Sequence, residues 1–258
     1  MSSACVILLA CTFAIRAQAG AWTLPAGETQ IITSVTYSTA SAKFTSSGAV
    51  PAQFRKIFAQ AYAEHGLTDR LTLVLVPEYA TATEADPDQP VIHATSFAVE
   101  GGLRYRVTDA IGIVSAEASY KTSGGFDTPI AVVRKSGSEI EGRLLYGLNF
   151  NVFRRDAYLD TEVAQRWISG DRPGETAADL TLGFHWSEKF TVMAQSFNII
   201  STGKGDPPYT YFRSHKLQLA FVQRLWKGVS LETGAYYSPA GENALAERGA
   251  LAAVWVHF

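Results

Sequence analysis

Apolar and polar residues alternate along almost the whole chain, in segments of about ten residues each. The clearest segment covers positions 140–152, where Leu144 and Tyr146 share one face and Glu141 and Arg143 lie on the other. Successive side chains of a strand point to opposite faces of a sheet. The segment therefore predicts a β-strand with one apolar and one polar face.

Twelve segments of this kind predict twelve strands, and because helical periodicity is scarce they predict an all-β fold. Their approximate positions are 28–38, 53–64, 70–80, 95–107, 111–121, 140–152, 157–167, 179–186, 190–200, 216–225, 229–237 and 250–258. The ninth segment does not keep one phase, since Phe190 and Val192 indicate one face whereas Phe197 and Ile199 indicate the other. Such a shift is typical of a β-bulge, which we expect in this strand.

The connections between the segments alternate between short and long. Short connections fall at 66–69, 108–109, 154–156, 187–189 and 226–228, and long ones at 39–52, 82–93, 122–138, 169–177, 201–212 and 239–248. An even number of strands, with tight turns at one end and long loops at the other, is typical of membrane barrels. The sequence therefore predicts a transmembrane antiparallel up-and-down β-barrel of about 12 strands, with short periplasmic turns and long extracellular loops.

Aromatic residues bracket the apolar faces, which favours a membrane barrel over a soluble β-sandwich or lipocalin-like barrel. One group lies near the short connections and a second near the long ones: Tyr105, Trp186, Phe190, Trp226 and Phe258, and Tyr37, Tyr79, Tyr120, Trp167 and Tyr237. Rings at both ends of an apolar band fit the two lipid–water interfaces. Charged residues make up only 18% of the chain, yet no apolar run is long enough for a membrane-spanning helix. We therefore expect the barrel in the lipid of a Gram-negative outer membrane.

The first 19 residues resemble a secretory signal peptide, because an apolar stretch precedes the small-x-small tripeptide Ala-Gln-Ala at 17–19. A lipoprotein signal ending at Cys11 is an alternative, but its apolar core would be shorter than usual. We expect cleavage after the tripeptide, so that residues 20–258 form a single barrel domain. Cys5 and Cys11 both lie in the signal, which excludes disulfides and thiolate chemistry from the mature chain.

The last predicted strand ends at an aromatic residue, Phe258, which shares one face with Val254 and Val256. Lipid cannot satisfy the open edge of an unclosed barrel, so the last strand must be recognised and paired with the first. This ending resembles the C-terminal signal that outer-membrane barrels present to their assembly machinery. We therefore expect that machinery to be a partner of the chain.

The polar faces of the strands carry charges of both signs, and in a membrane barrel these faces line the lumen. The predicted lumen charges are Arg104, Arg106, Lys121, Arg143, Arg166, Lys216 and Arg224, together with Glu100, Glu117, Glu141, Asp160, Glu162, Asp179 and Glu232. A tube that attracts ions of one sign should carry an excess of charges of the other sign, because a narrow low-dielectric lumen focuses the field. These seven cations and seven carboxylates instead predict a balanced lumen. Two interpretations stay open: the charges pair and fill the tube, or they line a narrow, weakly selective passage for neutral or zwitterionic solutes. No basic patch indicates nucleic acid.

Ser196, Asn198 and His215 form the best candidate for catalysis, since they are expected on neighbouring strands near the outer rim. They loosely resemble the Ser/His/Asn set of outer-membrane phospholipase, although the surrounding motif of that family, a His with Ser-Asn-Gly two residues later, is absent. A lipid-modifying enzyme is therefore the less favoured interpretation, and we expect no catalysis. The other histidines lack metal-ligand spacing, so neither a metal nor a cofactor is expected.

Two segments resemble a group of proteobacterial outer-membrane barrels that includes the XagA-like proteins: Ala-Trp-Thr-Leu-Pro-Ala-Gly-Glu at 21–28 and His-Gly-Leu-Thr-Asp-Arg-Leu-Thr-Leu at 65–73. Those proteins are linked with exopolysaccharide and biofilm operons. The resemblance implies an accessory role in polysaccharide export or surface attachment, with a saccharide as a further partner. A third alternative is a non-conducting structural or adhesion barrel whose loops at 39–52 and 122–138 bind something outside the cell.

Overall fold

The alternating segments form twelve strands in the computed structural model, which describes residues 20–85, 91–124, 137–206 and 209–258. The strands are β1 (Thr29–Thr45), β2 (Gly48–Thr68), β3 (Leu71–Ala85), β4 (Ile92–Thr108), β5 (Ile113–Lys121), β6 (Glu139–Val152), β7 (Arg155–Ile168), β8 (Glu175–Ser187), β9 (Phe190–Ser201), β10 (Arg213–Trp226), β11 (Val229–Glu242) and β12 (Ala244–His257). Within the described ranges, no helix is long and apolar enough to cross a membrane. The predicted signal peptide with its two cysteines, and parts of the predicted loops at 82–93 and 122–138, lie outside the described residues.

Each strand pairs antiparallel with its neighbours in sequence, and β1 also pairs with β12, which closes the barrel. At this seam Thr29 and Phe258 exchange two backbone hydrogen bonds, of 2.8 and 3.0 Å. Closure pairs the edges that lipid could not satisfy. The predicted twelve-stranded antiparallel up-and-down barrel is confirmed.

Two of the predicted long loops are wrong, because the strands continue through them. β1 and β2 are joined by the residues at 46–47 alone, and β11 and β12 by Asn243 alone. The segments predicted as loops, 39–52 and 239–248, are rich in small and polar residues, which weakens the apolar alternation. The pairing of backbone groups does not depend on that alternation, so the ladder extends past it.

The turns at 69–70, 153–154, 188–189 and 227–228 lie together at one end of the barrel, which we call the tight-turn end. The opposite end, the loop end, holds the longer connections together with the two short ones at 46–47 and Asn243. β6 and β7 are joined by Phe153 and Arg154, with φ of 50° and 62°. Positive φ at both central residues is typical of hairpin turns whose twist matches that of the strands. Gly228, with φ of 75°, ends the turn after β10, where glycine carries no steric cost.

The outward face of the barrel carries an apolar band bordered by aromatic rings. The exposed rings are those of Tyr105, Trp186, Trp226 and Phe258 towards the tight-turn end, and of Tyr37, Tyr79, Tyr120, Trp167 and Tyr237 towards the loop end. The inward face carries small residues and the buried charges. This distribution fits hydrocarbon outside the barrel and a polar lumen inside it.

The bulge predicted in β9 is wrong. β9 pairs with β10 from Phe190 to Ile200 without a register shift, and in its pairing with β8 the shift between His185 and Ser187 places the extra residue in β8. Phe190 and Val192 therefore face outward, whereas Phe197 and Ile199 face the lumen, where both line a cavity. The apolar alternation was misleading here because the lumen wall itself takes two apolar side chains at this height.

Candidate functional site: the barrel lumen

The structure places the predicted lumen charges on the inward face. Each lies an even number of positions from a buried residue of the same strand, so both side chains point into the lumen. They are Arg104 and Arg106 with Glu100 on β4, Glu117 and Lys121 on β5, Glu141 and Arg143 on β6, Asp160, Glu162 and Arg166 on β7, Asp179 on β8, Lys216 and Arg224 on β10, and Glu232 on β11. They do not form one network. Their contacts divide them into clusters on different walls of the barrel.

Arg104 is the centre of the cluster nearest the tight-turn end, and its side chain is only 2% exposed. Its guanidinium lies 2.6 Å from Glu64 Oε1 of β2 and 2.8 Å from Glu117 Oε2 of β5. Arg104 Nη2 also donates a hydrogen bond to the Tyr62 hydroxyl. Two carboxylates with good geometry offset the cost of burying this cation.

A second cluster joins β6, β7 and β8. Glu141 accepts hydrogen bonds from Arg143 Nε at 2.7 Å and from Arg166 Nε at 2.6 Å. Arg143 also pairs with Glu162, and Arg166 lies 3.3 Å from Glu175. Because these groups come from three adjacent strands, they tie one wall together and occupy the lumen beside it.

A third cluster lies on the other side of the barrel, where Glu247 of β12 binds two lysines. Its carboxylate lies 3.3 Å from Lys56 Nζ and 2.9 Å from Lys216 Nζ. Lys216 Nζ also lies 4.4 Å from the centre of the Tyr236 ring, a cation–π distance. The Tyr236 hydroxyl donates to Glu247 at 3.3 Å.

Other predicted lumen charges bind neutral groups. Glu232 accepts a hydrogen bond from Trp255 Nε1 at 2.8 Å. Asp179 accepts one from the backbone N–H of Asn198 at 3.3 Å. Arg106 donates to the backbone carbonyl of Asp69, in the turn between β2 and β3, at 2.8 Å.

Sequence reasoning missed further charges in the lumen, and its expectation of a balanced lumen is wrong. The structure adds five carboxylates and two cations: Glu64, Glu78, Glu139, Glu175 and Glu247, and Lys56 and Arg172. Arg172, Glu175 and Glu247 lie in segments predicted to be loops, which is why they were not counted. Among the described residues named above, carboxyl groups therefore outnumber cations by twelve to nine.

An element that sequence analysis did not predict occupies the lumen at the tight-turn end. Residues Gly20–Leu24, which we call the amino-terminal plug, fold back inside the barrel before β1 begins. Gly27 N–H donates to Gly66 O at 2.8 Å, which directs the chain inward. Leu24 N–H then donates to Thr72 Oγ1 of β3 at 3.1 Å.

The plug crosses the lumen and ends against β5 and β7. Ala21 N–H donates to Asp160 Oδ1 at 3.0 Å, and the Ser115 hydroxyl donates to Ala21 O at 2.5 Å. The Trp22 ring meets the Tyr158 ring edge to face, with centroids 5.8 Å apart. Trp22 O accepts a hydrogen bond from Arg104 at 3.3 Å, so the plug joins the buried cluster described above.

Two cavities lie nearer the loop end of the lumen. One of about 220 Å³ is lined by Glu78, Glu100, Lys121 and Glu139 among others, and one of about 250 Å³ by Lys56, Phe197, Lys216 and Gln218 among others. Phe58 and Ile199 line both cavities, which therefore meet at these two side chains. The lumen thus holds the plug towards one end and these cavities towards the other.

Three carboxylates, those of Glu100, Glu117 and Glu141, bring oxygen atoms within 4.8 Å of one another beside the first cavity. Arg104 contacts Glu117, and Arg143 contacts Glu141. The cluster is partly neutralised by these cations and does not by itself define a metal site. It does concentrate negative potential between the plug and the cavity.

The candidate catalytic residues do lie together, on the outward face of β9 and β10. Asn198 Nδ2 donates to Ser196 Oγ at 3.1 Å, and Asn198 Oδ1 contacts His215 Nδ1. Among the contacts of the described residues, none joins Ser196 to His215 directly. A nucleophilic serine needs a base within reach of its hydroxyl, whereas here an amide lies between the two groups.

The predicted assembly signal lies at the seam of the barrel. Val254, Val256 and Phe258 alternate outward, and Phe258 is 68% exposed. The backbone of Phe258 is hydrogen-bonded to that of Thr29, the first residue of β1. Its side chain therefore marks the place where the first and last strands meet.

Solved structures with a similar fold include bacterial outer-membrane proteins. The chain is similar to an outer membrane channel from Pseudomonas putida F1, with a TM-score of 0.71 and 14% identity over 94% of this chain and 100% of that one. It is similar to the translocator domain of the autotransporter NalP from Neisseria meningitidis, with a TM-score of 0.59 and 13% identity over 91% and 90% of the two chains. The β domain of the Bordetella autotransporter BrkA gives a TM-score of 0.59 and 15% identity over 90% and 100%.

No protein-family profile matches the sequence, and no curated protein is similar enough to match it. The solved neighbours therefore define a class of fold: the chain is a twelve-stranded β-barrel of the outer-membrane kind. Within that class the neighbours are channels and translocators.

Proposed function

We propose that this chain is a narrow outer-membrane channel for small polar solutes, held closed by its amino-terminal plug. The observation that carries the proposal is the division of the lumen, with the plug towards the tight-turn end and two cavities nearer the loop end. In the outer membrane of a Gram-negative bacterium, tight turns face the periplasm and loops face outward. The plug would then block the periplasmic exit.

The plug can leave the lumen without unfolding the barrel. It takes no part in the strand ladders, and its directional contacts to the wall include the bonds to Asp160, Ser115 and Thr72. Each such hydrogen bond contributes about 0.5–1.5 kcal/mol net. The wall keeps its own hydrogen bonds when the plug is absent, because strand pairing closes the barrel by itself.

The charges of the lumen favour some solutes over others. Carboxylates outnumber cations among the groups added by the structure, and Glu100, Glu117 and Glu141 are clustered beside a cavity. Rings of carboxylates attract cations and repel anions at close range. We therefore propose that neutral, zwitterionic and cationic solutes pass more readily than anions.

Saccharides belong to this class of solute, and the resemblance to XagA-like barrels makes them the first to test. The cavity at Lys216 and Gln218 offers hydrogen-bond donors beside the apolar rings of Phe58 and Phe197, as a sugar with polar edges and an apolar face requires. An accessory role in exopolysaccharide export rests on the sequence resemblance. It requires the plug to leave, because a polymer must cross both ends of the lumen.

Removal of the plug is expected to open the channel. We expect deletion of Ala21–Leu24, which keeps Gly20 and the predicted cleavage site, to give single-channel steps severalfold larger than those of the parent in a planar bilayer. The physical reason is that the deletion removes the backbone and the Trp22 ring that cross the lumen. Trp22→Tyr, which keeps a ring against Tyr158, is the matched control and should behave as the parent does.

The same recordings would contradict the proposal if the deletion variant, shown to be folded by its heat-modifiable migration, conducted no more than the parent. That result would favour the non-conducting structural or adhesion barrel. The observation on the side of this second candidate is that the ion pairs of Arg104 and Glu141 are formed between strand residues and occupy the lumen in addition to the plug. A non-enzymatic role is part of the proposal, since the Asn198 amide separates Ser196 from His215.

We also propose that the exposed Phe258 ring is read by the barrel assembly machinery. Deletion of Phe258 is expected to lower the yield of heat-modifiable barrel in the outer membrane severalfold, because it removes the ring and the seam bonds to Thr29. Phe258→Ala keeps the backbone bonds and separates the two causes. An undiminished yield for both variants would rule out a recognition role for this residue.

A further inference from the structure

We propose that Asp160 is a binding site for the α-ammonium group of Gly20, which is created when the signal peptide is removed. Processing after Ala19 turns a neutral peptide nitrogen into a cation at the tip of the plug. The resulting ion pair fixes the plug in the lumen. The inference deepens the proposed function, on which its consequence for the channel rests.

The geometry brings the Gly20 nitrogen close to the Asp160 carboxylate. The next residue, Ala21, already donates its N–H to Asp160 Oδ1 at 3.0 Å. A Cβ atom built on Gly20 would lie 2.2 Å from Asp160 Oδ2. Because N–Cα and Cα–Cβ bonds measure about 1.5 Å, the Gly20 nitrogen lies within about 5 Å of that oxygen. In a free terminus, rotation about the Gly20 Cα–C bond can move the nitrogen towards that oxygen.

The charges around Asp160 leave a place for a cation. Asp160 is buried, at 5% exposure, and across the described ranges no Lys or Arg forms an ion pair with it. Its neighbour on the same face of β7, Glu162, is hydrogen-bonded to the Asp160 side chain and pairs with Arg143. Arg104 is held by Glu64 and Glu117. A buried carboxylate is costly without a cation, and a buried ammonium is equally costly without a carboxylate. The Gly20 ammonium supplies the cation for Asp160, and Asp160 supplies the carboxylate for the ammonium.

The tip of the plug has room for glycine but not for a larger residue. A Cβ at position 20 would lie 2.2 Å from Asp160 Oδ2, so any side chain there would collide with the carboxylate. Ala21 is fully buried, with its carbonyl held by the Ser115 hydroxyl. Gly20, which the sequence predicts to be the first residue of the mature chain, therefore fits in the lumen beside Asp160. The predicted cleavage site and the lack of space beside Asp160 both single out Gly20.

Processing and closure of the lumen are coupled by this arrangement. Before cleavage the Gly20 nitrogen carries no charge and is attached to the signal peptide, so the ion pair with Asp160 cannot form. After cleavage the ammonium is present and the plug is fixed. The free amino terminus thus acts as an internal ligand of the barrel.

The test is the reactivity of the Gly20 amine in the folded, mature protein. The protein is purified from outer membranes, its terminus is established by mass spectrometry, and an acetylating ester is applied near neutral pH. Acetylation of the peptide beginning at Gly20 is followed with time. We expect slow labelling in the parent and severalfold faster labelling in Asp160→Asn. The control Glu100→Gln removes another inward carboxylate and should label as slowly as the parent.

Gly20→Ala provides a second variant that leaves the strands intact, in case Asp160→Asn does not assemble; it should also label faster, because the added Cβ displaces the terminus from Asp160. Equal labelling rates in the parent and both variants would overturn the ion pair, as would a mature terminus other than Gly20. Conductance is recorded separately. Protection that depends on Asp160 without conductance in any variant would leave the site established and would reject the channel.

Discussion

Replacing Arg104 with methionine is expected to lower the free energy of unfolding by about 3–5 kcal/mol, the cost of breaking a buried ion pair by removing one partner. Glu64 and Glu117 would stay buried without their shared cation. Methionine fills much of the space of the arginine stem, so the loss reports charge and hydrogen bonding rather than an empty cavity. Unfolding by urea in lipid vesicles, followed by the loss of heat-modifiable migration, measures the change.

The matched control is Arg213→Met at the start of β10, where the arginine side chain is 60% exposed and lies 3.4 Å from Glu242. An exposed pair of this kind contributes about 0–1 kcal/mol. The triple variant with Glu64→Gln and Glu117→Gln should recover part of the stability lost in Arg104→Met, because it removes the unpaired charges. A loss in Arg104→Met no larger than that in Arg213→Met would contradict the buried cluster.

Replacing Leu219 with arginine is expected to destabilise the barrel by about 2–4 kcal/mol, the cost of a cation on the lipid face near the bilayer midplane. Leu219 lies in the middle of β10, faces outward and is 48% exposed. Its partners on the neighbouring strands are Ala194 and Ala235, which offer no polar group to an arginine. The same unfolding measurement in vesicles applies.

Gln218→Arg is the control for this prediction, since it introduces the same residue one position away on the opposite face. Gln218 lines the cavity of about 250 Å³, which leaves room for a longer side chain in a polar setting. We expect a much smaller loss of stability there. Equal losses at the two positions would argue that the outward face of β10 does not meet hydrocarbon.

The number, order and direction of the strands could be predicted because they depend on local alternation. Leu144 and Tyr146 against Glu141 and Arg143 already show which residues of β6 face outward. The predictions were wrong where the two faces of a strand do not differ in polarity. Residues 39–52 continue β1 and β2 although small and polar residues obscure the pattern, and in β9 the lumen face takes Phe197 and Ile199.

The candidate site could be predicted only as a set of inward positions. Alternation indicates that Arg104 and Glu117 share the lumen, but their contact with Glu64 depends on the register between strands. The plug was missed because residues 20–24 have no periodicity. One signal was present: Trp22 and Leu24 are apolar residues just before a strand, and apolar side chains near the end of a barrel need a surface to cover them.

The sequence by itself determined that this protein is a twelve-stranded barrel with an apolar outside and a charged inside, because each of these properties follows from a period of two along the chain. The tertiary structure alone decided which charges meet, how far the strands extend and where residues 20–24 lie. The contact between Ala21 and Asp160 joins residues 139 positions apart. Only closure of the barrel brings β7 to the tip of the plug, so no local pattern could have predicted that contact.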